Sequence, residues 1–473
     1  MSFIARRKSI DALAEGGKRL KPTLSWPHLM ALGVGAIVGT GIYTLTGIGA
    51  GLAGPAVLVS FAICGVICAC AALCYAEMST MMPVAGSAYT YSYAVLGELV
   101  AWIIGWSLVL EYTVAAAAVA VGWSAHFSEF LNAIGIPLPA ALAHGTLTGG
   151  ILDLPAVVIG CIVTGLLVLG TRESATVNLI LVGIKLAALL VFVVLAAPAF
   201  DAARFHPFAP YGFAAHMDPD GVKRGVLAAA ALIFFAFYGF DAVSTAAEET
   251  KDPARDLSIG IVGSMVICTG IYIAVAAAAL GAASYLDIAH TGAPLVHVLE
   301  LVRHPLAAQI VASAAIVALP TVILVLMYGQ SRIWFVMARD GLLPEGLAKL
   351  GARGTPVKMT VFAGFWVVLL AATLPLDRIA LLANAGTLAA FIAVALSLLV
   401  LRLRDPDRRR IFRAPLGIPV ACICMAGCIY LFLNGLPRFT QYWFVFWNAG
   451  GLVLYFAYGM RKSRLAAAEG TAR

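Results

Sequence analysis

The sequence predicts an all-α membrane protein with 12 transmembrane helices. Hydrophobic residues make up 62% of its 473 residues, against about 45–50% in soluble domains. Charged residues make up only 12%, and they cluster between apolar runs of about 20 residues, the length that crosses a ~30 Å hydrocarbon core. This pattern excludes a soluble enzyme, a secreted disulfide scaffold, a nucleic-acid-binding protein and a disordered chain.

The twelve predicted spans follow one another along the chain, separated by short polar segments. They are 27–53, 56–77, 93–124, 153–170, 175–197, 223–249, 256–281, 305–337, 357–374, 379–402, 416–436 and 441–460. Proline supports these limits, because it is tolerated in a first helical turn and excluded from a helix interior. Pro55 and Pro415 lie at span starts, whereas Pro83, Pro198 and Pro344 lie beyond span ends.

The distribution of positive charge predicts the orientation. With the amino terminus inside, 24 Lys and Arg residues fall on the cytoplasmic side and six on the external side. Cytoplasmic loops carry such an excess, so both termini are expected in the cytoplasm. No signal peptide is expected in the first 26 residues, and Phe3, Ile4, Ile10 and Leu13 predict a short interfacial helix there.

Cysteine and histidine give no metal-binding pattern. The cysteines are expected to be small packing residues because every one lies in an apolar run; they are Cys64, Cys68, Cys70, Cys74, Cys161, Cys268, Cys422, Cys424 and Cys428. Two pairs on span 2 have one-turn spacing, but no His or carboxylate accompanies them in the membrane. The eight histidines are expected in loops or at span boundaries.

Spans 1 and 6 differ from the others in composition. Span 1 carries Gly33, Gly35, Gly39 and Gly41 through its centre, and the middle of span 6 reads Tyr238-Gly239-Phe240-Asp241. Glycine alone also fits close helix packing. The two spans correspond, however, if the first ten form two inverted five-helix repeats, and interrupted helices at matching places indicate a transporter's binding site.

An interrupted helix offers both charges of a zwitterion a partner. Backbone without helical hydrogen bonds is tolerated at membrane depth only where it is buried in protein or lines a cavity. Free N–H groups at the start of one half attract a carboxylate, and free carbonyls at the end of the other attract an ammonium. An α-amino acid carries these two groups.

Three charged residues lie deep inside spans: Glu111, Lys185 and Asp241. Each costs at least ~2.5–3.5 kcal/mol at the bilayer centre, so a functional role is the default interpretation. The alternatives are a structural ion pair or a side chain that reaches the interface. Lys185 lies about 15 Å into its span at ~1.5 Å per residue, which is too deep for its side chain to reach the interface. For Asp241, a helix cap on the second half of span 6 is as good an interpretation as a functional carboxylate.

At these residues the sequence resembles the amino acid–polyamine–organocation superfamily, in the bacterial branch related to the cationic amino acid transporters. The matching stretches are Gly35–Ile42, Pro83–Tyr91, Gly105–Tyr112, Gly239–Glu249 and Met337–Pro344. The resemblance implies a LeuT-type fold, with broken helices 1 and 6, two inverted five-helix repeats and two extra helices. Residues 1–26 would form a cytoplasmic segment, 27–402 the transport core (repeats 27–197 and 223–402), 403–460 helices 11 and 12, and 461–473 the tail.

The resemblance also implies site residues. It places the substrate carboxylate on amides around Gly39, Thr40 and Gly41, and the ammonium on carbonyls of Ile37, Phe235 and Tyr238, with the Phe235 ring as a lid. The whole expected substrate site comprises Ile37, Val38, Gly39, Thr40, Gly41, Phe235, Tyr238, Gly239, Leu326 and Met327. Lys185 matches a span-5 lysine whose ammonium replaces a sodium ion.

The expected function is proton-coupled uptake of amino acids across a bacterial inner membrane. Leu326 and Met327 on span 8 are large and apolar, which favours Ala, Ser or Gly over a cationic substrate. Lys185, Glu111 and Asp241 are the expected proton-coupling residues. Amino acid exchange and transport of Arg or Lys remain alternative functions. A membrane receptor or enzyme is a remote alternative. No HExxH, GxSxG or P-loop is present, and no catalytic residue, cofactor or metal is expected. The expected partners are the amino acid, the proton and the bilayer. A small accessory subunit is not excluded by the sequence.

Overall fold

The computed structural model describes residues 6–15, 24–84, 86–169, 175–347, 349 and 357–466. Within these ranges the chain is almost entirely helical, as a membrane-spanning backbone must satisfy its own hydrogen bonds. A small antiparallel ribbon follows the fifth predicted span. It pairs β1 (His216–Met217) with β2 (Lys223–Arg224), with His216 opposite Arg224.

The helices of the amino-terminal half include the first interrupted span. They are α1 Ile10–Glu15, α2 Trp26–Ile37, α3 Thr40–Tyr43, α4 Leu45–Ala53, α5 Val57–Met81, α6 Ser87–Val95, α7 Glu98–Ala133, α8 Ala140–Ala143, α9 Leu154–Leu169 and α10 Ala175–Ala196. Short 3₁₀ turns occupy Gly54–Ala56, Thr146–Thr148, Ala197–Ala199 and Ala202–Phe205.

The helices of the carboxy-terminal half include the second interrupted span. They are α11 Val226–Ile233, α12 Asp241–Thr245, α13 Pro253–Ala282, α14 Tyr285–Ala289, α15 Pro294–Leu301, α16 Pro305–Arg339, α17 Val357–Thr373, α18 Leu376–Arg404, α19 Gly417–Tyr430, α20 Arg438–Leu454 and α21 Met460–Lys462. Further 3₁₀ turns lie at Phe234–Ala236, Ala247–Glu249 and Glu345–Leu347, and π-helical turns at Leu431–Gly435 and Tyr455–Gly459.

Within the described residues, eight helical segments are long and apolar enough to cross a membrane. They are Leu45–Met81, Glu98–Asn132, Leu179–Ala199, Val226–Thr245, Pro253–Ala282, Pro305–Arg339, Leu376–Arg404 and Gly417–Gly435. Three shorter helices, Trp26–Ile37, Leu154–Val168 and Val357–Thr373, are also apolar. The protein is therefore a multi-pass helical membrane protein.

The predicted limits of span 3, residues 93–124, are wrong at both ends. Residues 87–95 form the separate helix α6, and α7 begins at Glu98 because Gly97 takes φ +112°, which only glycine adopts readily. At the other end α7 continues to Ala133, past the apolar run that marked the span. Hydrophobicity located the buried part of this helix and missed its polar extension.

Both predicted interruptions are present. Helix α2 ends at Ile37 and the next helix begins at Thr40, so the first span is broken at Val38 and Gly39. Helix α11 ends at Ile233, a tight 3₁₀ turn follows, and α12 begins at Asp241. Each break divides one predicted span into two halves.

Most of the cysteines are buried packing residues, as predicted, whereas one histidine is not where it was expected. Seven cysteines are buried, and Cys161 and Cys422 are exposed on the outer surface. His126 lies inside α7 and is buried, with Nδ1 2.9 Å from the carbonyl oxygen of Gly122 and its ring edge-on to Tyr43. The loop interpretation of this histidine is wrong because α7 extends beyond the predicted span.

The amino-terminal helix α1 packs on the rest of the protein. Ile10 and Leu13 are half-buried against the core, as the expected shared face requires, while Phe3 and Ile4 lie outside the described residues. Nearby, Lys8 forms a 2.5 Å ion pair with Asp340, which follows α16. Burial lowers the pKa of Lys8, and Asp340 opposes that shift.

A stack of indole rings joins α7 to α20. The rings of Trp106 and Trp447 lie 4.8 Å apart, and Trp102 stacks on Trp106 at 5.8 Å. Trp106 Nε1 donates to the carbonyl of Trp447, and Trp447 Nε1 donates to the carbonyl of Trp106, both at 2.9 Å. These reciprocal bonds fix the last predicted span against the third.

A buried carboxylate ties α5 to the end of α18. Glu77 accepts hydrogen bonds from Arg402 Nε at 2.9 Å and Nη2 at 2.5 Å, and from the amide of Ala414 at 2.8 Å. Arg410 Nε lies 3.0 Å from the same carboxylate. The network holds the segment between α18 and α19 against α5.

Candidate functional site

The two interrupted spans cross directly at their breaks. A Cβ atom at Gly41 would overlap Cα and Cβ of Ala236, so only glycine fits this contact. At the second crossing, a Cβ on Gly239 would lie 3.1 Å from the carbonyl carbon of Ala36, and Gly239 has φ +112°. The crossings bring together the predicted residues that flank them in sequence.

The backbone at the first break presents donors and acceptors. Gly39 is the N-cap of α3, so the amides of Gly39, Thr40 and Gly41 are the first donors of a helix and have no acceptor within it. The last carbonyls of α2, which ends at Ile37, likewise have no donor within their helix. This places partial positive and partial negative charge next to each other.

One carbonyl at the break is already hydrogen-bonded. The buried hydroxyl of Tyr272, on α13, donates to the carbonyl oxygen of Ile37 at 2.7 Å. A carbonyl oxygen has two lone pairs, so Ile37 keeps one acceptor position for a second donor. Tyr272 thereby fixes the direction in which this carbonyl points.

Two aromatic rings follow the end of α11. Phe235 and Tyr238 are buried and meet edge to face, with centroids 5.0 Å apart. The hydroxyl of Tyr238 has no hydrogen-bond partner within the described part of the chain. A buried hydroxyl without a partner is costly, which suits a position where another polar group binds.

Asp241 organises the break of span 6. Its Oδ1 accepts a 3.1 Å hydrogen bond from the amide of Gly239, and its Oδ2 accepts a 2.7 Å bond from the hydroxyl of Tyr112. Phe240 is the N-cap of α12 and the helix has no side-chain cap bond, so the carboxylate of Asp241 fixes the turn that precedes α12. The buried Glu111 carboxyl interacts electrostatically with Asp241, and Glu111 Oε2 has no hydrogen-bond partner in the described ranges.

Lys185 contacts the other broken span. Its side chain is fully buried, and Nζ donates to the carbonyl of Gly35 at 2.9 Å and to Thr321 Oγ1 at 3.1 Å. The ammonium therefore lies between α2 and α16. Lys185 and Glu111, both predicted near the breaks, are found beside different ones: Lys185 at span 1 and Glu111 with Asp241 at span 6.

Span 8 meets the breaks through two valines. A Cβ at Gly39 would lie 3.5 Å from Val322, an ordinary van der Waals distance, and Val325 packs with Ala36 and Ala242. Leu326 and Met327, predicted at the side-chain end of the site, are buried in the main core of the protein. The described contacts thus put Val322 beside the first break and Val325 between the two spans.

Sequence reasoning missed the neutral residues that hold the site. These are Tyr112, Tyr272, Thr321, Val322 and Asn384. For all of them except Val322, a polar but uncharged side chain within an apolar run was the available signal, since buried polar groups need hydrogen-bond partners.

The comparisons with known proteins decide the family. Residues 24–457 match the family model described as amino acid permease. The chain belongs to the amino acid permease family, within the amino acid–polyamine–organocation superfamily. The superfamily predicted from the sequence motifs is thereby confirmed.

Curated relatives match along nearly the whole chain. Branched-chain amino acid permease BcaP of Bacillus subtilis (strain 168) is 44% identical, covering 98% of this chain and 99% of the relative. The methylthioribose transporter of the same organism is 39% identical, covering 98% and 100%. Vacuolar cationic amino acid transporter 2 of Arabidopsis thaliana is 37% identical, covering 86% and 64%. All three are named as permeases or transporters and not as enzymes.

Proposed function

We propose that the protein is a secondary active transporter that takes up amino acids with protons and binds them at the two crossed breaks. The observation that carries this proposal is the pair of crossings, Gly41 against Ala236 and Gly239 against Ala36. They put the free amides at the start of α3 next to the free carbonyls at the ends of α2 and α11. In a member of the permease family, this arrangement matches the two charged ends of an α-amino acid.

In the proposed binding mode, the backbone holds both charged groups of the substrate. The carboxylate takes the amides of Gly39, Thr40 and Gly41, and the ammonium takes carbonyls of Ile37, Phe235 and Tyr238. Val38 connects the Ile37 carbonyl to the amides that bind the carboxylate. Gly239 permits the turn after Tyr238. The Phe235 ring covers the substrate from one side, supported by its edge-to-face contact with Tyr238.

Small neutral amino acids are the proposed substrates. The wall beside the first break carries Val322, with Leu326 and Met327 on the same helix, and these three side chains are apolar. Asp241 already accepts bonds from Gly239 and Tyr112. A relative named as a branched-chain permease makes valine, leucine and isoleucine the second candidate class.

Proton coupling has two possible carriers in this site. Lys185 joins α2 to α16, so loss of its proton would weaken its hydrogen bond to the Gly35 carbonyl and loosen that contact. The alternative is the pair of buried carboxyls, Glu111 and Asp241, which interact electrostatically. Two ionised carboxylates close together in a buried site repel each other, so one proton shared between them is favourable.

The architecture we propose is the LeuT-type arrangement of 12 spans, with repeats at 27–197 and 223–402. The paired breaks support it, as does a helix order in which interrupted spans open both halves. We place the protein in a bacterial inner membrane, with both termini cytoplasmic, because basic residues are concentrated on that side.

Reconstituted liposomes test the function. Purified protein is inserted, and uptake of labelled alanine is measured with an inward proton gradient, with and without internal alanine. Accumulation without internal alanine supports proton-coupled uptake. Uptake that requires internal alanine indicates exchange. A bound ligand must raise the melting temperature of the purified protein. The proposal fails if no standard amino acid is transported, and it also fails if none raises that temperature.

A further inference from the structure

Asn384, on α18, contacts the end of the first half of span 6. The side chain is fully buried, and Nδ2 donates to the carbonyl of Ala231 at 2.6 Å and to that of Leu232 at 3.4 Å. Both carbonyls belong to the last turn of α11, which ends at Ile233. The cap amide of Phe234 points to the carbonyls of Ala230 and Leu232, which leaves Ala231 without a donor from its own helix. Asn384 supplies that donor from a neighbouring helix.

Lys185 makes the equivalent contact at span 1. Its Nζ donates to the carbonyl of Gly35, which lies two residues before Ile37, the last residue of α2. Ala231 likewise lies two residues before Ile233, the last residue of α11. Each broken helix is thus held at the same position relative to its break, by a side-chain donor from another helix.

The helices that carry these donors occupy corresponding places in the chain. Lys185 is on α10, which closes the first predicted repeat, and Asn384 is on α18, which closes the second. An inverted repeat relates the fifth span of one half to the fifth span of the other. Each repeat therefore holds its own broken helix with its last helix.

The donor from Asn384 affects where α11 stops. In a continued α-helix the carbonyls of Ala231 and Leu232 would accept from the amides four residues later, at Phe235 and Ala236. Asn384 donates to those carbonyls at the point where the backbone tightens into the 3₁₀ turn Phe234–Ala236, and it compensates for the helical bond that the turn gives up. This turn directs Phe235 and the residues that follow it.

Stability alone does not explain this side chain. Asn384 Oδ1 is buried and has no hydrogen-bond partner within the described ranges. An unmet acceptor in the core is unfavourable, and a leucine of similar volume would avoid it. The amide group is therefore better explained by the bond it donates to span 6.

We propose that Asn384 is a positioning residue for the ammonium end of the substrate and the counterpart of Lys185 in the second repeat. By fixing the end of α11, it holds the carbonyls of Phe235 and Tyr238 where the ammonium binds. The inference rests on the proposed function, because it concerns the same site. It predicts that loss of the Asn384 donor weakens substrate binding more than it slows transport of bound substrate.

Two substitutions separate the donor from the shape of the side chain. Asn384→Ala removes both, whereas Asn384→Asp keeps the shape and has a donor only when the carboxyl is protonated. Ser397→Ala is the matched control, because Ser397 is buried in the same helix and its hydroxyl donates within that helix, to the Ala393 carbonyl at 2.7 Å. All are reconstituted as full-length protein and assayed with labelled alanine.

For Asn384→Ala we expect Kd and KM to rise about tenfold or more, with kcat changed less than about threefold. At about pH 5 Asn384→Asp should bind within about threefold of the wild type at that pH, since a buried carboxyl is protonated there. Ser397→Ala should bind like the wild type. Wild-type Kd in Asn384→Ala, or Asn384→Asp no better than Asn384→Ala at low pH, would overturn the inference. If the wild type itself binds no amino acid, the proposed function has failed instead.

Discussion

Tyr112 and Asp241 join an unbroken helix to the break of span 6. The Tyr112 hydroxyl donates a 2.7 Å hydrogen bond to Asp241 Oδ2, while Oδ1 of the same carboxylate accepts from the amide of Gly239. Gly239 has φ +112°, a conformation that other residues rarely adopt. The position of this turn is therefore set from α7 through a single carboxylate.

Tyr112→Phe should reduce alanine uptake several-fold while the protein still inserts into the membrane. The variant removes the hydroxyl from a buried carboxylate, which lowers the free energy of unfolding by about 1–3 kcal/mol. Uptake and melting temperature are measured together. Tyr89→Phe is the control, because Tyr89 makes an equally short 2.7 Å bond to Asp340, away from the breaks. Equal loss of uptake in both variants would contradict a specific role for Tyr112.

Gly41→Val should abolish transport without preventing expression and insertion. Its side chain would overlap the backbone of Ala236 and force the two broken helices apart. Gly39→Ala is the comparison, because its Cβ has room beside Val322 at 3.5 Å. We expect Gly39→Ala to fold like the wild type and to bind alanine more weakly, since the methyl group stands beside the free amides. Wild-type uptake by Gly41→Val would remove the substrate site from span 1.

Lys185→Arg should lose accumulation driven by a proton gradient. Arginine keeps the positive charge beside Gly35 and Thr321 but does not release its proton. Glu111→Gln is assayed alongside, because it removes the charge from the carboxyl pair and leaves Lys185 in place. Accumulation is measured with inward, outward and no pH gradient, and wild-type uptake should not depend on sodium. If Lys185→Arg still concentrates alanine and Glu111→Gln does not, the carboxyl pair carries the proton.

Alanine, serine or glycine should inhibit labelled alanine uptake at lower concentration than arginine. An arginine side chain would bring a charge to the apolar wall formed by Val322 and its neighbours on α16, where losing its water is costly. Valine, leucine and isoleucine are included as competitors because of the branched-chain relative. Stronger competition by these three would assign the site to larger apolar substrates, and stronger competition by arginine would reverse the prediction.

Glu77→Gln should destabilise the protein without changing its affinity for substrate. The substitution leaves the guanidinium groups of Arg402 and Arg410 next to a neutral amide, and breaking a buried ion pair costs about 3–5 kcal/mol. Asp405→Asn is the matched control, since its pair with Arg408 is partly exposed and contributes about 0–1 kcal/mol. Thermal unfolding in detergent measures both. A similar shift for the two variants would show that the Glu77 network is not important for stability.

The fold class and the breaks follow from the sequence because both have local signals. Apolar length marks the helices. Glycine marks the first interruption, at Val38 and Gly39, and glycine together with a deep carboxylate marks the second, before Asp241. What the sequence could not show is which distant residue reaches each break. The contact between Asn384 and Ala231 joins residues 153 positions apart, and no local pattern encodes such a pairing. His126 was misplaced for a related reason, because the polar end of α7 looks like a loop when hydrophobicity alone is read.

The indole stack of Trp102, Trp106 and Trp447 makes the protein its own optical reporter. Three of its eight tryptophans are stacked across the contact between α7 and α20, and rings this close share excited-state energy and quench one another. Any step of the transport cycle that slides the last helix along the third would separate them and change the emission without an added dye. With Trp106 replaced by phenylalanine as the blank, stopped-flow fluorescence would time that motion against substrate binding.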